Sequence, residues 1–351
     1  NISVGRKKEI LRKALNVIHD VVFLSRYKEM HLFVAGTGLV GTSLMKPLKE
    51  QAALLLIEHN LKVNLMGVVN TRNMVMDRKC VSLDNYKEAL KTSTEKGDIA
   101  AFISYMTRLN LRNSIFIDCT ANEDVAARYK EILSKYVSVV TANKIACSSE
   151  YSYYQKLKSI AAERGVRFMY ETTVGAGLPI IKTINDLVVS GDKILKIEAV
   201  PSGTMNFIFN ELGPDMPLST AIRKAREKGY SEPDPRIDLS GTDVVRKILI
   251  LAREAGYQLE KEDVVVEKFL PEECFTGDLN SFFEKVRKYD AEFESKRKEL
   301  AAKNMKWRFF ATLDEGKAKV ELITVGADHP SYNLEGSNNI ILLTTTRYRE
   351  L

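Results

Sequence analysis

The sequence predicts an α/β fold, in which a doubly wound parallel sheet is followed by a second, α+β domain built on a mostly antiparallel sheet. Between residues 31 and 170, short apolar runs alternate with helices, a pattern typical of a parallel sheet that is covered on both faces. Beyond Glu171 the rhythm changes, and predicted strands at 306–313 and 317–325 flank the turn Asp314-Glu315-Gly316. With 351 residues, the chain is long enough for both domains.

In the first domain, short apolar runs predict strands, and apolar residues at helical spacing between these runs predict helices. The predicted strands lie at 31–35, 62–69, 114–118, 137–141 and 166–170. The predicted helices lie at 39–59, 99–109, 122–135 and 149–164.

In the second domain, the same two patterns predict four strands and five helices. The strands are at 193–200, 306–313, 317–325 and 339–346. The helices are at 178–188, 203–211, 218–228, 240–256 and 278–302. This combination is typical of an antiparallel sheet with helices packed on it.

The composition is that of an ordinary globular protein, with 45% apolar and 28% charged residues. The net charge of +6 is dispersed, and the densest charged stretch, 285–306, alternates acids with bases, so we expect no nucleic-acid partner. The four cysteines form no CxxC pair, and no zinc-ligand spacing appears. Isolated thiols, without a secretory signal or a membrane span, predict a cytoplasmic protein.

The motif Gly36-Thr37-Gly38-Leu39-Val40-Gly41 follows the first strand and opens the first helix. In this context its spacing is typical of a Rossmann-type dinucleotide site, although a purely structural glycine turn is the alternative. The second strand ends near Asn70 and Arg72, where an NAD-specific site usually carries an acidic residue. An amide and a guanidinium favour NADP or dual use, unless Arg72 is an ordinary loop arginine.

Two further strand ends carry polar residues, in Asp118-Cys119-Thr120 and in Asn143-Lys144. Ligands bind at this edge of open α/β sheets, so Lys144 is a candidate for steering an anionic substrate or for assisting proton transfer. Cys119 raises the hypothesis of a thiolate nucleophile, but no histidine lies near it in sequence to activate it. A core cysteine is the more ordinary interpretation.

Two glycine-containing turns extend the candidate chemistry. The segment 171–179, ETTVGAGLP, joins the two domains, and its glycines allow the backbone to turn carbonyl groups inward. Carbonyls with one carboxylate suit a hard monovalent cation, whereas a plain hinge would have the same sequence. The turn at Gly203-Thr204-Met205-Asn206 joins a strand to a helix, so its N–H groups are suited to binding a carboxylate.

The segment 229–247, GYSEPDPRIDLSGTDVVRK, gathers four acidic residues and Lys247. Its two prolines restrict the backbone, so the acidic side chains are expected to be held in place. Ser240 and Asp243 predict a capping box at the start of a helix. Asp243 and Lys247, four residues apart, share one helix face that suits binding an ammonium and moving a proton. A cap with a solvated ion pair is the alternative. The buried stripe is predicted at Val244, Val245, Ile248, Leu249 and Ala252.

Together these motifs resemble those of the homoserine dehydrogenase family, over residues 29–351. The most specific matches are ETTVGAGLP and the EPDP…DLSG…DVVRK block, supported by GTGLVG, DCT, VTANK and PSGTMNFIF. Residues 1–29 resemble a linker or the end of the regulatory ACT-like region of bifunctional aspartokinase–homoserine dehydrogenases. The resemblance implies a dinucleotide-binding domain at 30–172 and a substrate-binding, catalytic and dimerisation domain at 173–351. The glycine-rich segment and last helix that follow in the family are expected to be absent.

The resemblance also implies roles for individual positions. Lys247 and Lys144 match the family's catalytic lysines. The substrate-binding positions are Glu232, Asp238, Asp243, Gly203 and Thr204. The cofactor-binding positions are Gly36, Thr37, Gly38, Leu39, Val40, Gly41, Asn70, Arg72, Thr120 and Lys144. The sodium positions, which act mostly through backbone carbonyls, are Glu171, Val174, Ala176 and Leu178.

The implied activity is the reversible reduction of L-aspartate 4-semialdehyde to L-homoserine, in threonine and methionine biosynthesis. The implied cofactors are NADP or NAD and a monovalent cation, sodium, and the implied assembly is a homodimer or homotetramer, with an aspartokinase fused upstream. Two other hypotheses stay open. One is a semialdehyde dehydrogenase that uses Cys119, and the other is a non-catalytic nucleotide-sensing domain.

Overall fold

The structure, a computed structural model, describes residues 27–349. The expected regulatory segment, 1–29, therefore lies almost entirely outside the described residues. The chain divides into two compact units. Within the described residues, unit 1 comprises 27–147 and Ser152–Tyr170, and unit 2 comprises Ser148–Tyr151 and 171–349.

Unit 1 is built on a six-stranded sheet with the strand order β3-β2-β1-β4-β5-β6. Its strands are β1 (Lys28–Ala35), β2 (Leu61–Val69), β3 (Met74–Met76), β4 (Ser114–Asp118), β5 (Ser138–Thr141) and β6 (Phe168–Met169). All neighbouring strands pair in parallel except β2 and β3. The predicted doubly wound sheet is confirmed. The sheet also has a short antiparallel edge strand, β3, which was not predicted because three residues are too few to show a strand pattern.

Helices cover both faces of this sheet. They are α1 (Leu39–His59), α2 (Tyr86–Thr92), α3 (Ile99–Leu109), α4 (Glu123–Ala127), α5 (Tyr129–Ser134), α6 (Ile145–Ser148) and α7 (Tyr151–Arg164). On β1, Leu32 and Val34 belong to one buried cluster, and Phe33 and Ala35 belong to another. Because successive strand residues face opposite ways, the central strand has apolar packing on both sides.

Unit 2 is built on a five-stranded sheet with the order β11-β7-β9-β10-β8. Its strands are β7 (Ile194–Val200), β8 (Val264–Val266), β9 (Met305–Asp314), β10 (Lys317–Gly326) and β11 (Ile340–Thr345). Only β8 and β10 pair in parallel, so the predicted, mostly antiparallel sheet is confirmed. The helices are α8 (Ile180–Val189), α9 (Gly203–Glu211), α10 (Leu218–Glu227), α11 (Arg236–Leu239), α12 (Thr242–Glu254), α13 (Leu279–Arg287) and α14 (Asp290–Ala302).

The start of α12 differs from the prediction. Gly241, at φ +74°, precedes the helix, and no side chain caps it, so the capping box predicted at Ser240 and Asp243 is wrong. The hydroxyl of Ser240 instead accepts a hydrogen bond from the Thr242 N–H at 3.3 Å. The left-handed glycine reverses the chain sharply, so α11 passes directly into α12. The predicted apolar stripe is confirmed, because Val244, Val245, Ile248, Leu249 and Ala252 are all buried.

Two predicted helices are each divided in two. The helix predicted at 122–135 breaks at Arg128, and that predicted at 278–302 breaks at Tyr289. The second break allows the Asp290 carboxylate to accept hydrogen bonds from the Ser219 N–H at 2.8 Å and from its hydroxyl at 2.6 Å. In the part of the chain from 27 to 349, no helix combines the length and apolarity needed to cross a membrane.

Candidate active site

The glycine motif forms a tight turn between β1 and α1. Gly36 has a φ of +94°, and its N–H donates to the Val69 carbonyl at 2.8 Å. A Cβ at Gly36 would lie 2.9 Å from the backbone of Cys119, and one at Gly41 would lie 2.1 Å from the Gly36 carbonyl oxygen. A Cβ at Gly38 would meet nothing within 4 Å. The first and third glycines are therefore required by internal packing, whereas the second borders open space.

The N-terminus of α1 offers backbone N–H groups to a ligand. No side chain caps this helix, and its first turn contains no acidic residue. Its first two side chains, Leu39 and Val40, are 86% and 50% exposed. Unpaired N–H groups and the positive end of the helix dipole favour binding of a phosphate group.

A pocket of about 650 Å³ opens beside this turn. It is lined by Ala35, Gly36, Thr37, Gly38, Val69, Asn70, Thr71, Arg72, Gly97, Ile99, Cys119, Thr120, Asn122, Asp124 and Val125. The pocket lies at the carboxyl ends of β1, β2 and β4, where the strand order reverses and where open α/β sheets bind ligands. Its volume is in the range of roughly 300–1,000 Å³ that small-molecule sites occupy.

The pocket brings together some of the predicted cofactor residues and not others. Those that line it are Gly36, Thr37, Gly38, Asn70, Arg72 and Thr120. The predicted residues outside the lining are Leu39, Val40, Gly41 and Lys144.

The Asn70 side chain organises the loop that follows β2. Its Oδ1 accepts hydrogen bonds from the N–H groups of Arg72 and Asn73, both at 2.8 Å. Its Nδ2 donates to the Thr37 hydroxyl at 3.1 Å, which ties this loop to the glycine turn. Arg72 is exposed, and its guanidinium forms no ion pair or hydrogen bond with any described residue. A cationic side chain is thereby presented beside the pocket.

Asp118, fully buried at the end of β4, connects two loops at this edge of the sheet. Its Oδ1 accepts a hydrogen bond from the Thr120 N–H at 2.7 Å. Its Oδ2 accepts from the Tyr129 hydroxyl at 2.5 Å and from Asn143 Nδ2 at 3.1 Å. Burial raises the pKa of Asp118, and these hydrogen bonds oppose that rise. The network holds the pocket loop at Thr120 and the loop that carries Lys144.

Cys119 lines the pocket as a protonated thiol. Burial, and then the neighbouring charge of Asp118, raise its pKa to about 11. A thiol with this pKa contains very little thiolate at neutral pH, which weighs against the nucleophile hypothesis.

In unit 2, the Lys247 ammonium is held by two oxygen atoms. Its Nζ lies 2.7 Å from Asp243 Oδ2 and donates to the Pro201 carbonyl at 2.7 Å. The predicted sharing of one helix face by Asp243 and Lys247 is confirmed. An ammonium has three N–H donors, and no third acceptor contacts this one within residues 27–349. One donor therefore remains for a bound ligand.

The predicted acidic cluster lies on the segment that leads into α12 and on the first turn of that helix. Asp238 Oδ2 accepts from the Glu232 N–H at 2.9 Å, and its Oδ1 accepts from the Thr204 hydroxyl at 3.3 Å. Burial raises the pKa of Asp238, and the charges of Glu232 and Asp243 act in the same direction. The three carboxylates are thus close enough to interact. The Glu232 carboxylate is exposed and has no partner among the described side chains, so it is available to an ammonium group.

The start of α9 packs closely on a neighbouring loop. A Cβ at Gly203 would lie 2.8 Å from the Ser337 carbonyl oxygen. The Ser202 hydroxyl caps the helix by accepting from the Met205 N–H at 3.2 Å. No side chain accepts from the N–H groups of Gly203 and Thr204 within the described range, which leaves them available to a ligand carboxylate.

The segment 171–178 contains the carboxylate and the tight backbone turn that the sequence predicts for a cation site. The Glu171 carboxylate accepts from the N–H groups of Ile181 and Lys182, at 2.8 and 2.9 Å. Ala176 has a left-handed φ of +53°, directly after Gly175 at +74°. A left-handed alanine costs roughly 1–2 kcal/mol, and such strain is typical of functional turns.

The Val174 side chain is buried, while Leu178 is exposed and its N–H donates to the Gly175 carbonyl at 2.9 Å. Oxygen donors of this kind fit a hard monovalent cation in chemical type. Within the described residues, no group of three or more His, Cys, Asp or Glu side chains could hold a metal ion.

Three parts of the site were not predicted. The Pro201 carbonyl on Lys247 and the Tyr129 hydroxyl on Asp118 join residues distant in sequence, which no local pattern reveals. Gly97 also lines the pocket, and a Cβ there would lie 2.1 Å from the Asn70 carbonyl oxygen. The sequence signal for Gly97 is weak, a single glycine two residues before the start of α3.

Two family models match the chain, one largely within unit 1 and one within unit 2. Residues 36–171 match the family model of the NAD-binding domain of homoserine dehydrogenase, and residues 179–351 match the homoserine dehydrogenase model itself. Among solved structures, a protein of unknown function from Candida auris is 30% identical, with a TM-score of 0.84 and 92% of both chains covered. A hyperthermophilic archaeal homoserine dehydrogenase in complex with NADPH is 22% identical and shares the fold, with a TM-score of 0.69 over 92% of this chain and 90% of that one.

Two curated relatives are bifunctional proteins. The chloroplastic bifunctional aspartokinase/homoserine dehydrogenase 1 of Zea mays is 38% identical over 100% of this chain. The bifunctional aspartokinase/homoserine dehydrogenase of Haemophilus influenzae is 35% identical over 97% of it. The chain spans only 38% and 42% of the length of these two relatives. With both of its units matched by models of one family, the chain belongs to the homoserine dehydrogenase family.

Proposed function

We propose that the chain catalyses the reversible, NADP-dependent interconversion of L-homoserine and L-aspartate 4-semialdehyde. The observation that carries this proposal is the Lys247 ammonium, held by Asp243 and Pro201 with one N–H donor left. An ammonium in this position can donate a proton to an alkoxide as that charge develops and can stabilise the charge electrostatically.

The surrounding groups match the parts of a small amino acid. The exposed Glu232 carboxylate would bind the substrate ammonium, and Asp238 with Asp243 would complete the negative environment. The N–H groups of Gly203 and Thr204, at the positive end of α9, would bind the substrate carboxylate. NADPH, when bound, supplies the hydride, so the protein's contribution is orientation and proton transfer.

We propose that the pocket of unit 1 prefers NADP to NAD. Asn70 stands where NAD-specific sites carry an acid, and it leaves no negative charge to repel a 2′-phosphate. Arg72 presents a guanidinium beside the pocket, and this group pairs well with phosphate. The open space at Gly38 fits close approach of a pyrophosphate. Lys144, in the loop after β5, is proposed to lie near the nicotinamide.

We also propose that segment 171–178 holds a sodium ion. The ligands would be the Glu171 carboxylate and the carbonyls of Val174, Ala176 and Leu178. Glu171 already caps α8, so the ion would stabilise the turn that leads into that helix. The thermal unfolding midpoint should rise in sodium chloride compared with equal tetramethylammonium chloride, and Ala176→Pro should abolish the difference. An equal midpoint in the two salts would count against the site.

We also propose an assembly, from the family resemblance, and a cellular location, from the cysteines. The relatives' names support an upstream aspartokinase, and family membership supports a homodimer or homotetramer. The four cysteines are free thiols, which supports a reducing compartment such as the cytoplasm. Light scattering after size-exclusion chromatography would give the number of chains per particle, and a monomer would contradict the assembly.

The activity is tested by steady-state oxidation of L-homoserine by the full-length protein, with NADP and NAD in turn. We expect saturable NADP reduction that depends on L-homoserine. If NADP binds but is not reduced in the presence of L-homoserine, the result would favour the hypothesis of a non-catalytic nucleotide-sensing domain. Oxidation of the semialdehyde to an acyl phosphate, dependent on inorganic phosphate, would instead favour the Cys119 enzyme.

A further inference from the structure

A second pocket lies between α10 and α13 of unit 2, and none of the predicted site residues lines it. Its volume is about 350 Å³, and three arginines line it, Arg223 and Arg226 on α10 and Arg287 on α13. Asn280 and Glu284 add an amide and one carboxylate. The lining therefore carries three positive charges against one negative charge.

These arginines form no direct ion pair within the described residues, and the charge of Arg226 acts on Asp234 only at longer range. Within residues 27–349, none of the three guanidinium groups forms an ion pair or hydrogen bond with another side chain. The Arg223 guanidinium carbon instead lies 4.7 Å from the centroid of the buried Phe283 ring. This contact limits the orientations of a planar group whose N–H fork suits two oxygen atoms of one anion.

We propose that this pocket binds a small oxyanion with at least two negative charges, of the phosphate or carboxylate type. Arg223, Arg226 and Arg287 would pair with its oxygen atoms, and the Asn280 amide would donate a further hydrogen bond. Guanidinium groups form bidentate, charge-assisted bonds with both anion types, so the lining selects charge and shape. Anion binding at this pocket does not require the proposed dehydrogenase activity.

The position of the pocket gives such binding a structural consequence. Helix α10 runs directly into the segment 229–247, which carries the acidic cluster. From that segment, Arg236 donates to the Gly277 carbonyl at 2.6 Å, two residues before the start of α13. The pKa of Asp234 is lowered mainly by its hydrogen bond with Arg236, and the charge of Arg226 adds to this effect. Both walls of the pocket are thus attached to the segment with the acids.

The test is titration calorimetry of the full-length protein with inorganic pyrophosphate and, separately, with citrate. Excess NADP would occupy other phosphate-binding positions, and potassium chloride would keep the ionic strength constant. We expect one saturable site per chain for at least one anion, and the tighter of the two identifies the ligand type. Arg223→Gln with Arg287→Gln should weaken binding by about tenfold or more, because two charge-assisted contacts are lost.

Two variants make the result specific. Glu284→Gln removes the one carboxylate that residues 27–349 contribute to the lining and should tighten binding severalfold, a gain that a folding defect cannot produce. Arg108→Gln with Lys303→Gln removes two exposed charges elsewhere and should leave the affinity unchanged. Absence of saturable binding of both anions would overturn the proposal. So would equal weakening by the two double variants, or no tightening in Glu284→Gln.

Discussion

Lys247 and Asp243 form an ion pair of 2.7 Å across one turn of α12, and Lys247 is the more protected partner. The Lys247 side chain is 15% exposed and that of Asp243 42%. Exposed pairs at this spacing contribute little to stability, so the pair matters chiefly for orientation. Because the apolar stripe of α12 is fully buried, the helix presents both charges from a rigid base.

Asp243→Asn should therefore impair turnover more than folding. The amide still has an oxygen for Lys247 but lacks the charge that holds the ammonium, so we expect kcat to fall by about tenfold. The exposed Asp215, changed to Asn, is the matched control and should leave kcat unaltered.

Asn70→Asp should change the cofactor preference. A carboxylate at this position would repel a 2′-phosphate and lose the hydrogen bond that Asn70 donates to Thr37. We expect kcat/KM for NADP to fall by about 10- to 100-fold, with a much smaller change for NAD. Arg72→Gln should lower kcat/KM for NADP and leave kcat/KM for NAD unchanged. If both cofactors are affected equally by these two changes, the 2′-phosphate does not lie near Asn70.

The Cys119 thiol should be unreactive at neutral pH. Since its pKa is raised to about 11, its alkylation rate should keep increasing with pH up to that value. An unperturbed thiol, with a pKa of about 8.5, reaches its plateau far earlier. Mass spectrometry of the Cys119 peptide after timed iodoacetamide treatment measures this. Cys119→Ser should retain full hydride transfer, and a loss of activity would revive the nucleophile hypothesis.

Asp118→Ala should destabilise the protein. It leaves the Thr120 N–H and one N–H of the Asn143 amide without an acceptor, while the Tyr129 hydroxyl keeps only its contact with Thr141. Each unsatisfied buried donor costs about 1–3 kcal/mol, so the free energy of unfolding should fall by at least about 2 kcal/mol. Urea unfolding followed by circular dichroism measures the loss. Asp215→Ala, at an exposed site, should change this free energy by less than about 0.5 kcal/mol.

The sequence was sufficient for regular elements whose pattern is local. Helix α1 begins and ends at the predicted residues 39 and 59, because the glycine motif determines its start. The breaks at Arg128 and Tyr289 could not be predicted, because neither position has a proline or glycine. At Tyr289 the break serves a contact between Asp290 and Ser219, 71 residues apart.

The candidate site was predictable where its chemistry lies in one segment. The spacing of Asp243 and Lys247 on a helix was enough to predict their pairing. The carbonyl that completes the lysine's surroundings belongs to Pro201, 46 residues away, and only the fold brings it there. The capping-box prediction was wrong because the sequence Ser240-Gly241-Thr242-Asp243 is compatible with two structures. One is a capping box, and the other is the observed left-handed Gly241 without a side-chain cap.

The proposed role of Lys247 is tested most directly by a single-turnover measurement of NADPH oxidation by L-aspartate 4-semialdehyde in Lys247→Ala. With enzyme saturated by NADPH, loss of a general acid should slow hydride transfer by about 10²–10⁴-fold, whereas the dissociation constant of NADPH should not change. Lys303→Ala, at an exposed helix end, is the matched control and should behave as wild type. A rate in Lys247→Ala equal to that of the wild type would contradict the proposed role of this lysine and, with it, the assigned active site.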